Sequence, residues 1–167
     1  QHRYGYDYLY SGSLFTHQLS HMWIEFRGIQ DAFMRDKGID YFENSRRATY
    51  VQQEYAIDNP LEFNGYGRCC WGISASDGPG PETLKVDGIE RQFFDYMARG
   101  VPHGPDDGTL APWAVVASLP FAPEIVLPAI EHFMHRSELK AANHYGFRAT
   151  FNATYPGKAG IACCWVS

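Results

Sequence analysis

Residues 38–50, GIDYFENSRRATY, place two carboxylates, Asp40 and Glu43, three positions apart and directly before a run of helix-forming residues. This run ends at Asn59-Pro60, and a proline disfavours helical backbone at the residue before it. The sequence therefore predicts a helix of about four turns over residues 44–58.

The two carboxylates fit two interpretations. Asp-x-x-Glu before a helical run is a capping-box arrangement, and acids in the first turn are favoured by the helix dipole, although Asn44 could equally be the cap. Alternatively, two carboxyls at a helix entrance can face one cavity, where unequal surroundings let one hold a proton while the other stays ionised. Spacing alone favours capping for Asp40 and Glu43.

A second helix is predicted over residues 13–28, where apolar residues recur near helical spacing until Gly28. On this helix His17, His21 and Glu25 would lie on one face. The zincin motif needs a glutamate directly after its first histidine, and position 18 is glutamine. We therefore expect hydrogen bonds to protein or sugar from this face, and no metal.

Composition restricts the functional classes. The 167 residues are 45% apolar and 20% charged, which fits one globular domain. A net charge of -5 and no Lys/Arg-rich run argue against nucleic-acid binding. No apolar stretch approaches the roughly 20 residues of a membrane span. No cofactor is expected. Aromatic residues, by contrast, make up 16% of the chain, and rings beside polar groups suit flat ligands such as sugars.

Residues 61–108 are rich in glycine and proline and predict long, ordered loops. Tyr66, Trp71 and Asp77 lie close together in one loop, and Asp106 and Asp107 lie in a turn that leads into a helix. Asp-Gly pairs are ordinary turn formers, and Asp107 could cap the following helix. The same acids and rings are also what a carbohydrate site needs, and spacing does not decide between these readings.

Helical pattern returns at residues 111–118 and at 123–136, where Pro123 fits a helix start, and more weakly at 141–152. Only the final GIACCWVS looks strand-like. The predicted fold class is all-α, with helices joined by long Gly/Asp/aromatic loops that build a site at one end.

The four cysteines form two adjacent pairs, Cys69-Cys70 and Cys163-Cys164. Zinc sites favour two or more residues between paired ligands, so this spacing disfavours a metal. Buried reduced thiols are the preferred interpretation, and a disulfide between the pairs is the alternative.

Five blocks, in order along the chain, resemble the glycoamylase-like family, which includes bacterial endo-β-1,2-glucanases and the central module of cyclic β-1,2-glucan synthases. They are LFTHQLSHMWIEFRGI, DYFENSRRAT, NGYGRCCWGISASDGP, PDDGTLAPWAVVASLPFAPE and YGFRATFN. The resemblance implies an (α/α)6 toroid and a periplasmic or secreted glycoside hydrolase on β-1,2-glucan. A transglycosylase or a non-catalytic glucan-binding module of the same fold is the alternative.

DYFENSR is a signature of this family at the cleft, so the resemblance implies a catalytic role for Glu43, as protonated acid, with Asp40 as its carboxylate neighbour. The expected substrate contacts are Trp71, Tyr66, Asp77, Asp107, Arg46, His17 and His21.

Two departures from the family pattern stand out. Members commonly carry aspartate where this chain has Glu25, and an acid near Ala149. The family also continues into a further Gly-Ile-Asn/Asp-Glu/Gln-Gly-Pro block and more helices. Twelve helices do not fit in 167 residues, so we expect residues 1–167 to be a single segment holding about half of the catalytic domain and to require the remainder.

Overall fold

The computed structural model describes residues 1–136, 139 and 146–157, and the backbone of 163–165. Its helices begin with two short 3₁₀ helices, η1 and η2, and continue with the α-helices α1 to α4. In chain order they span Leu14–His17, Leu19–Met22, Ala32–Asp36, Tyr41–Asp58, Pro112–Ala117 and Pro123–His135.

Helix α2 confirms the helix predicted from residue 44 to 58 and begins three residues earlier, at Tyr41. Asp40, not Asn44, is its N-cap, since the Asp40 carboxylate accepts a hydrogen bond from the Glu43 N–H. The helix ends at Asn59, whose left-handed backbone (φ 44°) is the usual way to stop a helix without glycine.

The single helix predicted over residues 13–28 is wrong, because η1 and η2 are separate short turns and an irregular loop follows them. Distant parts of the chain anchor this segment instead. The Phe15 N–H donates to Ser74 Oγ at 3.1 Å, and Gln18 Nε2 donates to the Ala114 carbonyl at 2.7 Å. Tertiary contacts have overridden a modest local helical preference.

Helices α3 and α4 confirm the two helices predicted near the end of the chain, and Pro123 occupies the first turn of α4 as expected. Val126, Ala129 and Phe133 form the buried stripe of α4. The two helices pack against each other across the short connection from 118 to 122.

Short antiparallel strands correct the all-α prediction. Within the described residues they form three two-stranded ribbons, β1–β2, β3–β6 and β4–β5, and one three-stranded sheet in the order β7-β8-β9. The strands β1 to β9 are His2–Arg3, Tyr6–Asp7, Ala75–Ser76, Thr83–Val86, Ile89–Gln92, Met97–Ala98, Thr109–Leu110, Thr150–Asn152 and Cys163–Trp165.

Several of these strands lie in segments predicted as loop or helix. The β4–β5 hairpin turns at Asp87-Gly88, both with positive φ, a turn that matches the twist of paired strands. Strand β8 lies at the end of the weakly predicted helix 141–152, whose residues 141–145 lie outside the described part of the chain. Strand β9 confirms the strand expected within the final eight residues.

The main core lies between the C-terminal half of α2, the α3–α4 pair and the loop that precedes β3. Side chains from η1, β7 and β8 also enter this core. Its large buried side chains are Leu14, Tyr55, Trp71, Ile73, Leu110, Val126, Phe133 and Phe151. A smaller cluster joins Tyr8 of the N-terminal segment to Ala48 and Val51 of α2. Among the described residues, no helix has the length and apolar character needed to cross a bilayer.

A fully buried ion pair ties the ribbon β3–β6 to the turn before β7. The Arg99 guanidinium donates to both carboxylate oxygens of Asp107, at 2.7 and 2.8 Å, and neither residue is exposed. Asp107 also accepts hydrogen bonds from the N–H groups of Phe94 and Thr109. Such complete pairing is what a charge needs in order to be buried at all.

Replacing Asp107 by asparagine would keep the shape but leave the Arg99 charge buried without its partner. Breaking a buried pair in this way typically costs about 3 to 5 kcal/mol, and we expect a loss of that size in the free energy of unfolding. Urea unfolding of the full-length protein, followed by circular dichroism, measures it. Asp77→Asn, at an exposed carboxylate, is the control and should cost less than about 0.5 kcal/mol. Equal losses in the two variants would contradict a structural role for the pair.

Candidate functional site

The start of α2 is the organising point of the site. One oxygen of Asp40 accepts from the Glu43 N–H at 2.8 Å, and the other accepts from the Gly28 N–H at 2.9 Å. Burial opposes the charge on Asp40, but backbone hydrogen bonds, including that from Phe42, outweigh it and lower the pKa below its ordinary value. Asp40 is therefore an ionised cap that also fastens the preceding loop to the helix.

Tyr41 fixes the same loop from the next position. Its N–H donates to the Ile29 carbonyl at 3.1 Å, and its hydroxyl donates to Asp31 at 2.8 Å. Asp31 is itself the N-cap of α1, accepting from the Met34 N–H. Asp40 and Tyr41 thus hold the C-terminal part of the loop between η2 and α1, from Gly28 to Asp31.

Glu43 lies between two arginines of its own helix. Arg47 Nε donates to one carboxylate oxygen at 3.0 Å, and Arg46 Nη1 lies 3.5 Å from the other. Both carboxylate oxygens of Glu43 are thus engaged by arginines of its own helix, and its catalytic role stays a prediction. Arg46 also donates to the Tyr50 hydroxyl, which in turn donates to Glu124 of α4 in a short hydrogen bond.

An open cavity of about 920 Å³, called the groove below, lies beside this helix start. Its lining is mostly apolar and strongly aromatic, and Trp23 is 80% exposed at its edge. The residues that line this groove are Phe15, Gln18, Leu19, His21, Met22, Trp23, Ile24, Glu25, Arg27, Phe42, Trp113, Ala117, Pro120 and Phe121.

The groove carries one balanced charge pair. Arg27 donates to both oxygens of Glu25, at 3.2 and 3.0 Å, and its guanidinium stacks 3.7 Å from the centre of the Phe42 ring. The Arg27 N–H, followed by its guanidinium, lowers the pKa of Glu25. Glu25 is thus the carboxylate that faces the groove, whereas Asp40 and Glu43 lie outside its lining.

His21 sits where the groove meets a smaller cavity of about 210 Å³. Its ring packs between Phe26 and Phe121, with centroids 4.7 and 4.8 Å away, and its Nε2 lies 3.0 Å from Ser45 Oγ. Burial lowers the pKa of His21, and Arg27 acts in the same direction. His17 lines the smaller cavity, and its Nε2 lies 2.8 Å from Ser11 Oγ. The two histidines and Glu25 do not share a helix face, so the predicted alignment is wrong.

Trp71 and Asp107 were expected to contact sugar, but the structure places both in the interior. Each is 0% exposed, Trp71 within the main core and Asp107 in the ion pair with Arg99. Neither side chain can reach a ligand without unfolding its surroundings. The aromatic and acidic composition of these loops is largely structural.

Tyr66 is joined to Asp106 rather than to Asp107. Its hydroxyl donates to Asp106 at 2.6 Å, and the Tyr55 hydroxyl donates to the other oxygen at 3.1 Å. Burial raises the pKa of Asp106, opposed by these hydrogen bonds and by the Gly108 N–H. Asp77 is exposed in the loop after β3. Neither Tyr66 nor Asp77 lines the groove, and their contact with sugar stays a prediction.

Cys69 is half-buried and Cys70 is buried, with the Arg136 guanidinium 3.7 Å from the Cys70 sulfur. The side chains of Cys163 and Cys164 lie outside the described residues, so the pairing of the cysteines stays a prediction. Within the described part of the chain, no three histidine, cysteine, aspartate or glutamate side chains cluster to hold a metal ion.

Sequence reasoning missed two aromatic platforms and one polar side chain of the groove. Trp23 lies in the predicted helix 13–28, which does not form, and Trp113 lies in the helix predicted over residues 111–118, with no ligand contact expected of either. Gln18 enters the sequence argument only as the residue that interrupts a zinc motif. A signal was available for the tryptophans, since both sit within blocks of the family resemblance.

Three comparisons with known proteins agree on one family. The family model "Putative glucoamylase" of the Glycoamylase family matches residues 1–167. An exo β-1,2-glucooligosaccharide sophorohydrolase (non-reducing end) of Parabacteroides distasonis is 32% identical over 128 residues, which are 76% of this chain and 16% of that protein.

Two solved structures have the same fold over most of the chain. An endo-β-1,2-glucanase from Chitinophaga pinensis, in complex with sophorotriose and glucose, superposes with a TM-score of 0.71 at 27% identity, covering 92% of this chain and 34% of that one. A β-1,2-glucanase from Parabacteroides distasonis also superposes with a TM-score of 0.71, at 30% identity, covering 92% of this chain and 20% of that one. The chain thus spans between 16% and 34% of these relatives.

The buried His17 predicts a specific loss of stability in mild acid. It is 8% exposed, and burial lowers its pKa to about 4. Between about pH 6.5 and 4 the unfolded chain binds a proton at this residue that the folded chain does not, so stability falls as the pH falls, by about 3 kcal/mol at pH 4.

Urea unfolding of the full-length protein between pH 7 and 4 measures this loss. His17→Gln keeps a hydrogen-bonding group near Ser11 but cannot titrate, and it should flatten the pH dependence. His135→Gln, at an exposed histidine on α4, is the matched control and should leave the slope unchanged. A wild-type slope retained in His17→Gln would assign the effect to other groups.

Proposed function

The chain belongs to the Glycoamylase family, and we propose that it forms part of a glycoside hydrolase acting on β-1,2-linked glucan. The observation that carries this proposal is the groove beside the start of α2, which has a volume of about 920 Å³ and is lined by exposed rings such as Trp23 and Trp113. Rings of this kind can stack on the apolar faces of successive sugars. The β-1,2 linkage in this proposal is taken from the relatives, which are named as enzymes that act on β-1,2-linked glucans.

The chain spans only 16% to 34% of its relatives, so the proposal gives it part of a catalytic domain. We propose that α2, α3 and α4 belong to a partial (α/α)6 toroid, and that residues 1–167 contribute one wall of its cleft. The remaining wall would then come from the rest of the catalytic domain. Glycoside hydrolysis needs two carboxyl groups flanking the scissile bond, and they need not both lie in this wall.

Three carboxylates near the groove receive proposed roles. Glu25 lines the groove. Glu43 does not, but it directly follows Phe42, which does. Because Glu43 is held by Arg46 and Arg47, it suits the proton-accepting half of acid–base catalysis better than the donating half. Asp40 positions the loop that carries Glu25, through its bond to Gly28.

Substitution of these carboxylates in the full-length protein tests the assignment. Glu43→Gln keeps the shape but removes the titratable group, and losing a group that transfers a proton typically lowers the rate by about 10² to 10⁴. The measurement is product release from linear β-1,2-glucan, followed by chromatography. Glu90→Gln, at an exposed glutamate of β5, is the matched control. Parental turnover by Glu43→Gln would remove Glu43 from the mechanism, and Glu25→Gln then tests the carboxylate that faces the groove.

A non-catalytic glucan-binding module is the second candidate. It is favoured by the way both oxygens of Glu25 are engaged by Arg27, and both oxygens of Asp40 by backbone N–H groups. The same chromatography separates the candidates. Saturable binding without products supports the module, shorter products support hydrolysis, and products longer than the substrate support transfer.

A further inference from the structure

Asn64 and Gly65 form a turn in the loop that follows α2, away from the groove. Both residues are exposed, and Gly65 has a positive φ of 86°. Within the part of the chain that the structure describes, no hydrogen bond engages the side-chain amide of Asn64 or the Gly65 N–H. The amide carbon and the neighbouring backbone nitrogen are therefore both open to water and to each other.

An asparagine that precedes glycine can react with its own backbone. The Gly65 nitrogen attacks the Asn64 side-chain carbonyl carbon and closes a five-membered succinimide ring. The side-chain NH₂ leaves as ammonia, taking up the proton of the Gly65 N–H. Water then opens the ring at either carbonyl, which leaves aspartate or isoaspartate at residue 64. Glycine favours this attack because it has no Cβ to hinder it and few restrictions on its backbone.

The other asparagines that the structure describes lack this combination. Asn44 and Asn152 are 2% and 0% exposed, and hydrogen bonds hold their side-chain amides. Asn59 precedes Pro60, whose nitrogen carries no hydrogen and cannot close the ring. Among the described asparagines, only Asn64 thus has an exposed, unpaired amide beside a free glycine N–H.

We propose that Asn64 is a site of spontaneous deamidation, and that the isoaspartate it yields loosens the loop 59–68. Two hydrogen bonds anchor this loop, one on each side of the bond that changes. The Asn64 N–H donates to Thr154 Oγ1 at 2.7 Å, and Gln53 Nε2 donates to the Arg68 carbonyl at 2.7 Å.

Isoaspartate adds one carbon to the backbone between these two anchors. The chain has little room for it, since a Cβ placed on Gly65 would come within 3.1 Å of Ala153 Cβ, in the segment after β8. The longer backbone therefore has to give up an anchor or push the loop outward. Aspartate, the other product, adds a negative charge but leaves the backbone length unchanged.

Ageing of the purified full-length protein in warm, mildly alkaline buffer tests the proposed site. Trypsin cleaves after Arg47 and Arg68, so one peptide carries both Asn59 and Asn64. Replacing NH₂ by OH raises the peptide mass by one unit, and fragmentation in the mass spectrometer assigns the gain to one residue. We expect the gain at Asn64 and none at Asn59, relative to unaged protein digested in parallel. An unchanged Asn64, or an equal gain at Asn59, overturns the proposal.

Asn64→Gln is the matched variant for the intact protein. It keeps an amide at the exposed position, but its longer side chain would have to close a six-membered ring, which forms far more slowly. On an anion-exchange column, ageing should give the wild type a new, more negative species and should give Asn64→Gln none. A new acidic species of equal amount in Asn64→Gln would place the reaction at other residues and overturn the assignment.

Brief trypsin treatment of the folded protein tests the loosening of the loop, since proteases cut preferentially where the backbone opens. Cleavage after Arg68, which is exposed, should be faster in aged than in fresh wild type. Ageing should not change the rate in Asn64→Gln. Freshly prepared Asn64→Asp carries the new charge without the added backbone atom and should be cleaved as fresh wild type is. Equal cleavage of fresh and fully converted wild type would contradict the loosening.

Discussion

The carboxylate of Asp40, shared between the Glu43 N–H and the Gly28 N–H, is the contact on which the groove depends. A helix N-terminus offers unsatisfied N–H groups and a positive dipole end, so an ionised acid there is stabilised locally whatever else it does. Because Asp40 has a second oxygen, the same charge also fixes the loop that carries Trp23, Glu25 and Arg27. One side chain therefore both caps α2 and positions the loop that lines the groove.

The residues after Asp40 extend this role along the first turns of α2. Tyr41 reaches Asp31, Asn44 accepts the Leu9 N–H, and Arg47 donates to the Asp7 carbonyl. Each contact joins the helix to a segment distant in sequence. The contacts of these polar residues thus have a structural explanation, so a polar residue in this stretch need not be catalytic.

Local chemistry was enough to predict α2, α3 and α4, although not the short α1. Asp40 and Asn59 cap the two ends of α2, and Pro123 is the first residue of α4. The failure at residues 13–28 has a tertiary cause, since partners such as Ser74 lie about sixty positions away and cannot be seen in a local pattern. Most strands are two to four residues long, too short for alternation to be recognised.

The site could be predicted as a region but less well as a set of side chains. Asp106 and Asp107 are neighbours in sequence, yet one is held by two tyrosine hydroxyls and the other by a buried arginine. Composition cannot separate them, because the deciding partners come from other segments. Trp71 illustrates the same limit: a ring flanked by glycine suggests exposure, whereas here the glycine allows close packing, with Gly72 too near Val115 and the Ala111 carbonyl to carry a side chain.

The electrostatics of the groove follow from these contacts. Glu25 and Arg27 cancel each other, Asp40 is neutralised by backbone dipoles, and His21 is kept neutral by burial. The groove therefore has no net charge to attract an ion, although the chain as a whole carries -5. What remains is apolar ring surface and hydrogen-bond acceptors. Under the proposed function, affinity in this groove comes mainly from rings that stack on sugar faces, a contact that a neutral sugar chain makes and a strongly charged polymer does not.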